Sequence, residues 1–211
     1  AIVIIEPTTG SVVASVGGLG EGLDTLGINR INSERSAGSA FKPLVNIAPA
    51  LENGTVVAST LFDDSPTDFA GGYSPKDDSN NSDGIMTMRK ALEGSKNIPE
   101  VKLLQLLGID KAVEFLAKID IEVDETYKNL PLALGTQTVT PLEMAAGYAM
   151  IANGGVYITP TFYTKVTDQN GNTVIEPHQE KTRVMSEANA YILTSMLTGP
   201  IKGSTGTATR Y

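Results

Sequence analysis

The sequence of 211 residues contains no cysteine and only one histidine, His178. Without cysteine the chain has no disulfide framework, no thiolate nucleophile and no thiolate metal site. Basic residues are also scarce: 16 lysines and arginines stand against 24 aspartates and glutamates, a formal net charge of −8. Nucleic acids and anionic membrane surfaces bind basic faces, so this charge balance disfavours both as partners.

Long hydrophobic runs are missing as well. The apolar run at residues 1–5 is too short to span a bilayer, and it lacks the basic flank and cleavage site of a secretion signal. A chain that opens inside a predicted strand, without methionine, is expected to be an excised piece whose targeting segment lies upstream. Its composition, 41% hydrophobic and 19% charged, is ordinary for a globular domain.

Local patterns predict an α/β chain of the α+β type. Two β-rich runs, residues 1–6 and 11–17, flank a Pro-Thr-Thr-Gly turn and predict an opening hairpin whose sheet is unfinished. A second hairpin is expected around Asn170 and Gly171. Residues 62–84 predict a long surface loop, and residues 198–211 show no core pattern. Helices are expected near residues 39–51, 86–93, 99–107, 111–118, 141–152 and 186–197.

Ser39 and Lys42 form the first candidate for chemistry. A serine hydroxyl is a weak nucleophile until a base removes its proton. At a helix start, residues three apart share one face, so Lys42 can present its amine to Ser39. Such a pair is expected about once by chance in this composition. Its context, behind Gly38 at the start of an apolar helix, favours a catalytic reading over a surface serine beside an unrelated lysine.

Ser95 and Asn97 form the second candidate, on the break between two predicted helices. A loop held by helices on both sides can aim a hydroxyl and an amide into one cleft. Ser95 could relay a proton, and Asn97 could hold a substrate amide or carbonyl. The alternative is that both side chains simply cap the following helix.

The remaining polar residues carry weaker signals. His178 lies in a polar stretch and no Gly-x-Ser-x-Gly elbow accompanies it, so it is expected to be a surface residue and not part of a triad. The pairs Asp63 with Asp64 and Asp77 with Asp78 lack ligand spacing for zinc or calcium, and we expect solvated loop carboxylates. No metal or cofactor is predicted.

Four stretches together resemble the transpeptidase domain of penicillin-binding proteins, most closely the bifunctional class A type. Residues 38–43 (Gly-Ser-Ala-Phe-Lys-Pro) resemble the serine-x-x-lysine motif, and residues 95–99 (Ser-Lys-Asn-Ile-Pro) the serine-x-asparagine motif. Residues 4–14 resemble the family's opening hairpin, and residues 134–155 a segment strong in class A. The resemblance implies the penicilloyl-serine transferase fold, which β-lactamases share.

The resemblance also implies a role for each matching residue. Ser39 would attack the D-Ala-D-Ala carbonyl of a peptidoglycan stem peptide, and Lys42 would take its proton. Ser95 would pass a proton toward the leaving group, and Asn97 would bind the substrate amide. An amine of a neighbouring stem would then accept the acyl group and form a crosslink. A β-lactam antibiotic would leave a stable acyl-enzyme on Ser39.

One departure is that the family's lysine-threonine-glycine strand is missing. Residues 202–207 (Lys-Gly-Ser-Thr-Gly-Thr) match better the glycine-threonine-glycine loop that precedes that strand. Residues 1–211 are therefore expected to be the N-terminal part of a single transpeptidase domain. It would need the C-terminal remainder as a partner, either continuous with this chain or as a separate chain. The parent enzyme would lie outside the cytoplasm, anchored to the membrane through a segment outside this chain.

Two alternatives share these residues. A β-lactam sensor or serine β-lactamase would use the same Ser39 and Lys42 but would end in signalling or hydrolysis, and no deacylating glutamate is assigned here. A non-catalytic module would keep the fold without the reaction, although four matching site residues disfavour it.

Overall fold

The computed structural model describes residues 1–18, 28–77 and 82–202. Asp78 and residues 203–211, with most of the predicted glycine-threonine-glycine loop, lie outside these ranges. The described α-helices are α1 (Ala48–Glu52), α2 (Met88–Glu93), α3 (Asn97–Leu107), α4 (Ile109–Ala117), α5 (Pro141–Ala152) and α6 (Glu187–Lys202). The described strands are β1 (Ile2–Glu6), β2 (Ser11–Val16), β3 (Arg35–Ser36), β4 (Leu61–Asp63), β5 (Ile85–Thr87), β6 (Thr138–Val139), β7 (Val156–Ile158), β8 (Val166–Thr167), β9 (Thr173–Ile175) and β10 (Lys181–Arg183).

These strands form antiparallel pairs, so the predicted mixed α/β class is confirmed. β1 pairs with β2 across the predicted turn, and β8 pairs with β9 around Gly171, which confirms both hairpins. The other pairs are β3 with β6, β4 with β5 and β7 with β10. No helix in the described ranges is long and apolar enough to cross a membrane.

A buried helical segment, residues 38–52, lies at the centre of the molecule. It begins as a 3₁₀ turn (Gly38–Phe41), continues as a π turn (Pro43–Ile47) and ends as α1. Every residue from 41 to 51 is buried, and the segment packs against α3, α4 and α6. The predicted helix is therefore confirmed, but its π turn was not expected. The π turn is closed by the Ala48 N–H, which donates to the Pro43 carbonyl five residues back. Pro49 follows directly and has no N–H to donate.

Local signals fix some helix boundaries and miss others. At α5, Thr140 accepts from the Glu143 N–H at 3.1 Å and Glu143 accepts from the Thr140 N–H at 2.7 Å, a capping box at the start of the helix predicted near residues 141–152. The prediction for α2 was wrong at its start, because residues 86 and 87 belong to β5. The prediction for α6 was short, because the helix continues to Lys202.

The loop between β4 and β5 was predicted to be a surface loop, and this prediction was partly wrong. Asp64 is fully buried and Phe69 is 7% exposed. Asp64 donates its backbone N–H to the Gly84 carbonyl at 3.0 Å, where the loop returns to β5. The loop therefore lies against the body of the protein beside the start of α3.

Candidate active site

Ser39 lies exposed on the 3₁₀ turn that opens the central helical segment. The Lys42 N–H donates to the Ser39 carbonyl, and side chains three residues apart are eclipsed in a 3₁₀ helix. Ser39 and Lys42 therefore share one face of the turn, with Ser39 toward solvent and Lys42 toward the interior. Tyr148 braces this turn because its hydroxyl donates to the Ala40 carbonyl at 2.8 Å. Burial raises the pKa of Tyr148 to about 12, so the hydroxyl keeps its proton.

The chain just before Ser39 is fixed against Gly135. The Ser36 hydroxyl donates to the Gly135 carbonyl at 2.6 Å, next to the pairing of β3 with β6. Gly135 has a φ of +75°, and a Cβ atom there would clash with the Gly38 carbonyl. Only glycine fits this position without strain, so the Leu-Gly of the class A segment supports the serine turn directly.

Lys42 brings the two predicted motifs together. Its side chain is 1% exposed, and its Nζ donates to Asn97 Oδ1 at 2.7 Å and to the Ser95 carbonyl at 2.7 Å. It also lies 3.2 Å from the Lys96 carbonyl and 3.4 Å from Ser95 Oγ. A buried amine with four oxygen neighbours is fixed in position. Ser95 and Asn97 were predicted to aim their side chains into one cleft, and in the structure both side chains contact Lys42.

Ser95 adopts a left-handed backbone conformation, with a φ of 55°. A residue other than glycine pays about 1–3 kcal/mol for such a conformation, which persists only where its surroundings hold it. Here the turn is held by the Ser95 N–H, which donates to the Leu92 carbonyl at 3.0 Å, and by Lys96, whose N–H donates to the Ala91 carbonyl at 2.9 Å. The strained turn directs the Ser95 carbonyl at Lys42.

Asn97 is held at both ends of its amide. Oδ1 accepts from Lys42, while Nδ2 donates to the Lys76 carbonyl at 2.7 Å. Its backbone N–H donates to Asp77 Oδ1 at 2.5 Å. The alternative that Ser95 and Asn97 only cap α3 is not supported. Lys96 is the N-cap residue and its own side chain makes no capping bond, while the Asn97 N–H at the start of α3 donates to Asp77.

Lys96 is the centre of an ionic cluster that sequence reasoning missed. Its Nζ lies 2.6 Å from Asp83, 3.1 Å from Asp64 and 3.8 Å from Asp77. The prediction of solvated carboxylates was wrong for Asp64 and Asp77, whose side chains are 0% and 7% exposed. Sequence spacing could not reveal this, because Asp64 and Lys96 meet only when the loop folds back on α3.

The groups in this cluster shift one another's pKa values. Burial opposes the charged form of Lys96, but hydrogen bonds with Asp83 and Asp64 outweigh it and raise the Lys96 pKa. Burial also opposes the ionised form of Asp64, yet hydrogen bonds led by the one with Asp77 lower the Asp64 pKa. Burial raises the pKa of Asp77. The cluster thereby ties Asp64, Asp77 and Asp83 to Lys96, the residue before Asn97.

Glu100 is a second group that sequence reasoning missed. It is fully buried one turn into α3, and its Oε2 accepts from Asn46 Nδ2 at 2.8 Å. Burial raises the pKa of Glu100 to about 7, even though the Lys42 charge and the Asn46 hydrogen bond lower it. A usable signal was present in the sequence, because Glu100 is an acidic residue among the apolar residues that begin α3.

The other polar residues do not join this site. His178 has a side chain that is 90% exposed, which confirms the prediction of a surface residue. Across residues 1–18, 28–77 and 82–202, no group of three or more metal-ligating side chains is arranged to hold a metal ion. The site combines an exposed serine, Ser39, with the buried amine of Lys42 three residues further along the same turn.

Comparisons with known proteins identify the family of this chain. Residues 1–211 match the family model of the penicillin binding protein transpeptidase domain. Penicillin-binding protein 1A of Pseudomonas aeruginosa is 34% identical over 196 residues, 90% of this chain and 23% of that protein. Penicillin-binding protein 1F of Bacillus subtilis is 32% identical over 211 residues, 99% of this chain and 29% of that protein. The chain thus spans about a quarter of the length of these curated relatives.

Solved structures show the same fold. Penicillin-binding protein 1A from Haemophilus influenzae has a TM-score of 0.84 and 29% identity, covering 97% of this chain and 35% of that chain. The D,D-transpeptidase domain of a peptidoglycan glycosyltransferase from Eggerthella lenta has a TM-score of 0.82 and 23% identity, covering 99% of this chain and 62% of that chain. The chain belongs to the penicillin-binding protein transpeptidase domain family and has the penicilloyl-serine transferase fold, as the resemblance to the class A type predicted.

Proposed function

We propose that this chain carries the nucleophile of a serine D,D-transpeptidase that crosslinks peptidoglycan stem peptides. The observation that carries the proposal is the buried Lys42 amine, which is three residues from Ser39 on the same 3₁₀ turn and within hydrogen-bond distance of both Ser95 and Asn97. Once it has lost one of its protons, an amine held in this position can take the serine proton, which lowers the barrier to attack.

The proposed reaction begins when Ser39 Oγ attacks the carbonyl of the terminal D-Ala-D-Ala bond and its proton passes to Lys42. The tetrahedral intermediate collapses with cleavage of the amide bond, and a proton passed through Ser95 accompanies the departing D-alanine. The acyl group remains as an ester on Ser39. An amine of a second stem peptide then attacks this ester, which forms the crosslink and returns the hydroxyl of Ser39.

Asn97 has the supporting role in this proposal. Because Lys42 and Lys76 hold the two ends of its amide, the side chain would meet the substrate amide in a fixed orientation. A β-lactam antibiotic would enter the same site, and opening of its ring by Ser39 would leave a covalent acyl-enzyme. The proposed chemistry uses no cofactor and no metal.

We also propose that residues 1–211 are the N-terminal part of one transpeptidase domain outside the cytoplasm. The parent protein would be anchored to the membrane through a segment outside this chain. The opening hairpin supports a C-terminal remainder that extends its sheet, since Ile2, Ile4 and Val13 are 57%, 51% and 62% exposed. Exposed apolar side chains on a two-stranded sheet favour further pairing or packing.

The crosslinking reaction is tested by incubating the complete protein with a pentapeptide donor and an amine acceptor, and measuring the crosslinked product and free D-alanine by mass spectrometry. We expect both products from the wild type, neither from S39A, and both from S59A, because Ser59 is an exposed serine away from the site. Crosslinking by S39A would exclude Ser39 as the nucleophile.

The same assay separates the alternatives. Rapid hydrolysis of penicillin without crosslinking would indicate a serine β-lactamase, and a lasting penicilloyl adduct without crosslinking would indicate a sensor. No reaction with either substrate in a folded complete protein would indicate a non-catalytic module.

A further inference from the structure

Glu100 is a buried acid that the proposed reaction does not use. Its carboxyl is 0% exposed, and among the described residues its Oε1 has no hydrogen-bond partner. The Oδ1 atom of Asn46, the residue bonded to its other oxygen, has none either. Both atoms are acceptors while the carboxyl is ionised, and only protonation supplies a donor there. The surroundings of Glu100 therefore favour the protonated acid.

Two side-chain bridges connect the central helical segment with α3, one made by Lys42 and the other by Glu100. Lys42 and Asn46 are four residues apart on the central helical segment, and Asn97 and Glu100 are three apart on α3. Lys42 donates to Asn97, and Asn46 donates to Glu100 and, at 2.9 Å, to the Ala133 carbonyl. The carboxyl thus lies one helical turn below the contact that fixes the Lys42 amine.

Lys42 is the charge that acts on this carboxyl. Two segments packed against α3, Pro43–Ile47 and Leu130–Leu134, carry no ionisable side chain. The acidic side chains of α1 and β4, Glu52 and Asp63, are exposed. The ionisable side chains of α2 and α4 are exposed or bonded to other partners: Arg89, Lys90, Glu93, Asp110, Lys111 and Glu114.

The two lysines at α3 are also engaged elsewhere. Lys96 pairs with Asp64 and Asp83, and Lys102 donates to the Asp63 carbonyl at 2.6 Å. Burial and the field of Lys42 are therefore the two main influences on Glu100, and they oppose each other.

We propose that Glu100 is a positioning residue whose buried carboxyl titrates together with Lys42, so that the ionised carboxyl stabilises the protonated form of Lys42. Above neutral pH, this limits the fraction of Lys42 that is a free amine able to accept the Ser39 proton. This inference rests on the proposed function, in which Lys42 acts as the base. When two ionisable groups interact, their protons come off in steps that belong to the pair and not to either residue alone.

The pairing predicts a specific pH dependence. Below about pH 7 Glu100 keeps its proton and affects Lys42 much as a glutamine would. Above that pH the carboxylate favours the ammonium form of Lys42, so a further rise in pH no longer increases the fraction of free amine. The acylation rate should therefore rise with pH up to about 7 and then level off.

The test is the second-order rate constant for acylation by benzylpenicillin, measured from about pH 6 to about pH 9 in the complete wild-type protein and in E100Q. We expect the E100Q rate to equal the wild-type rate at about pH 6 and to exceed it about tenfold at about pH 8. The matched control E114Q, at an exposed glutamate of α4, should follow the wild type at every pH.

The possible outcomes separate the inference about Glu100 from the proposed function. An E100Q-to-wild-type ratio that stays the same at every pH would mean that Glu100 is only structural, and would overturn the inference while leaving the proposed function intact. No acylation of the wild type at any pH would overturn the proposed function, and the inference with it. If E100Q does not fold, the wild-type profile decides: levelling near pH 7 supports the inference, and a tenfold rise per pH unit through pH 8 overturns it.

Discussion

Glu100 also determines how the stability of this domain should depend on pH. Its pKa in the folded protein is about 7, above the ordinary value of 4.5, so the unfolded chain releases this proton first as the pH rises. The contribution of Glu100 to folding is therefore most favourable below pH 4.5, and it declines as the pH rises toward about 7. The gap between the two pKa values corresponds to about 3 kcal/mol. E100Q removes the titrating group and should remove this decline.

The assay is urea unfolding of the complete transpeptidase domain at several pH values, comparing the wild type with E100Q and with the control E114Q. Relative to the wild type, E100Q should gain about 3 kcal/mol of unfolding free energy between about pH 5 and about pH 8. E114Q should show no such gain, because Glu114 is exposed. Parallel stability curves for wild type and E100Q would refute the reasoning, since a buried acid that ionises in the folded state must produce a slope.

Two further substitutions test the supports of the site. G135A should destabilise the protein by more than G54A. Both glycines have a positive φ, so alanine at either position costs about 1–2 kcal/mol for its backbone conformation. Of the two, only Gly135 has other atoms where a Cβ atom would lie. Urea unfolding of the two variants measures the difference, and equal losses would contradict the close approach. K96M should cost about 3–5 kcal/mol at neutral pH because it leaves Asp64 buried and unpaired. D83N, at a side chain that is 61% exposed, should cost less than about 1 kcal/mol in the same measurement, and a similar loss in both would contradict a buried ion pair.

Sequence reasoning succeeded where the signal was local. The start of α5 was predicted because Thr140, Pro141 and Glu143 each act within one turn of the helix. The opening hairpin was predicted because its turn joins adjacent strands. The Ser39 and Lys42 pair was likewise local, since three residues along a 3₁₀ turn bring two side chains to one face.

Sequence reasoning failed where burial depends on distant parts of the chain. Asn46 and Glu100 are 54 positions apart, and nothing in either local pattern specifies their hydrogen bond. Asp64 was predicted to be solvated because its neighbours are polar, whereas packing of the loop on α3 buries it. Polar composition therefore predicted a loop correctly, but it could not predict whether the loop's carboxylates meet water or a buried lysine.

The central claim is that Ser39 is the residue that is acylated. Its most direct test is the intact mass of the complete protein after incubation with benzylpenicillin, followed by peptide mapping, with S39A alongside. The account predicts one penicilloyl adduct, located on Ser39 and absent from S39A. An adduct on Ser95 or another residue, or an adduct that persists in S39A, would contradict it.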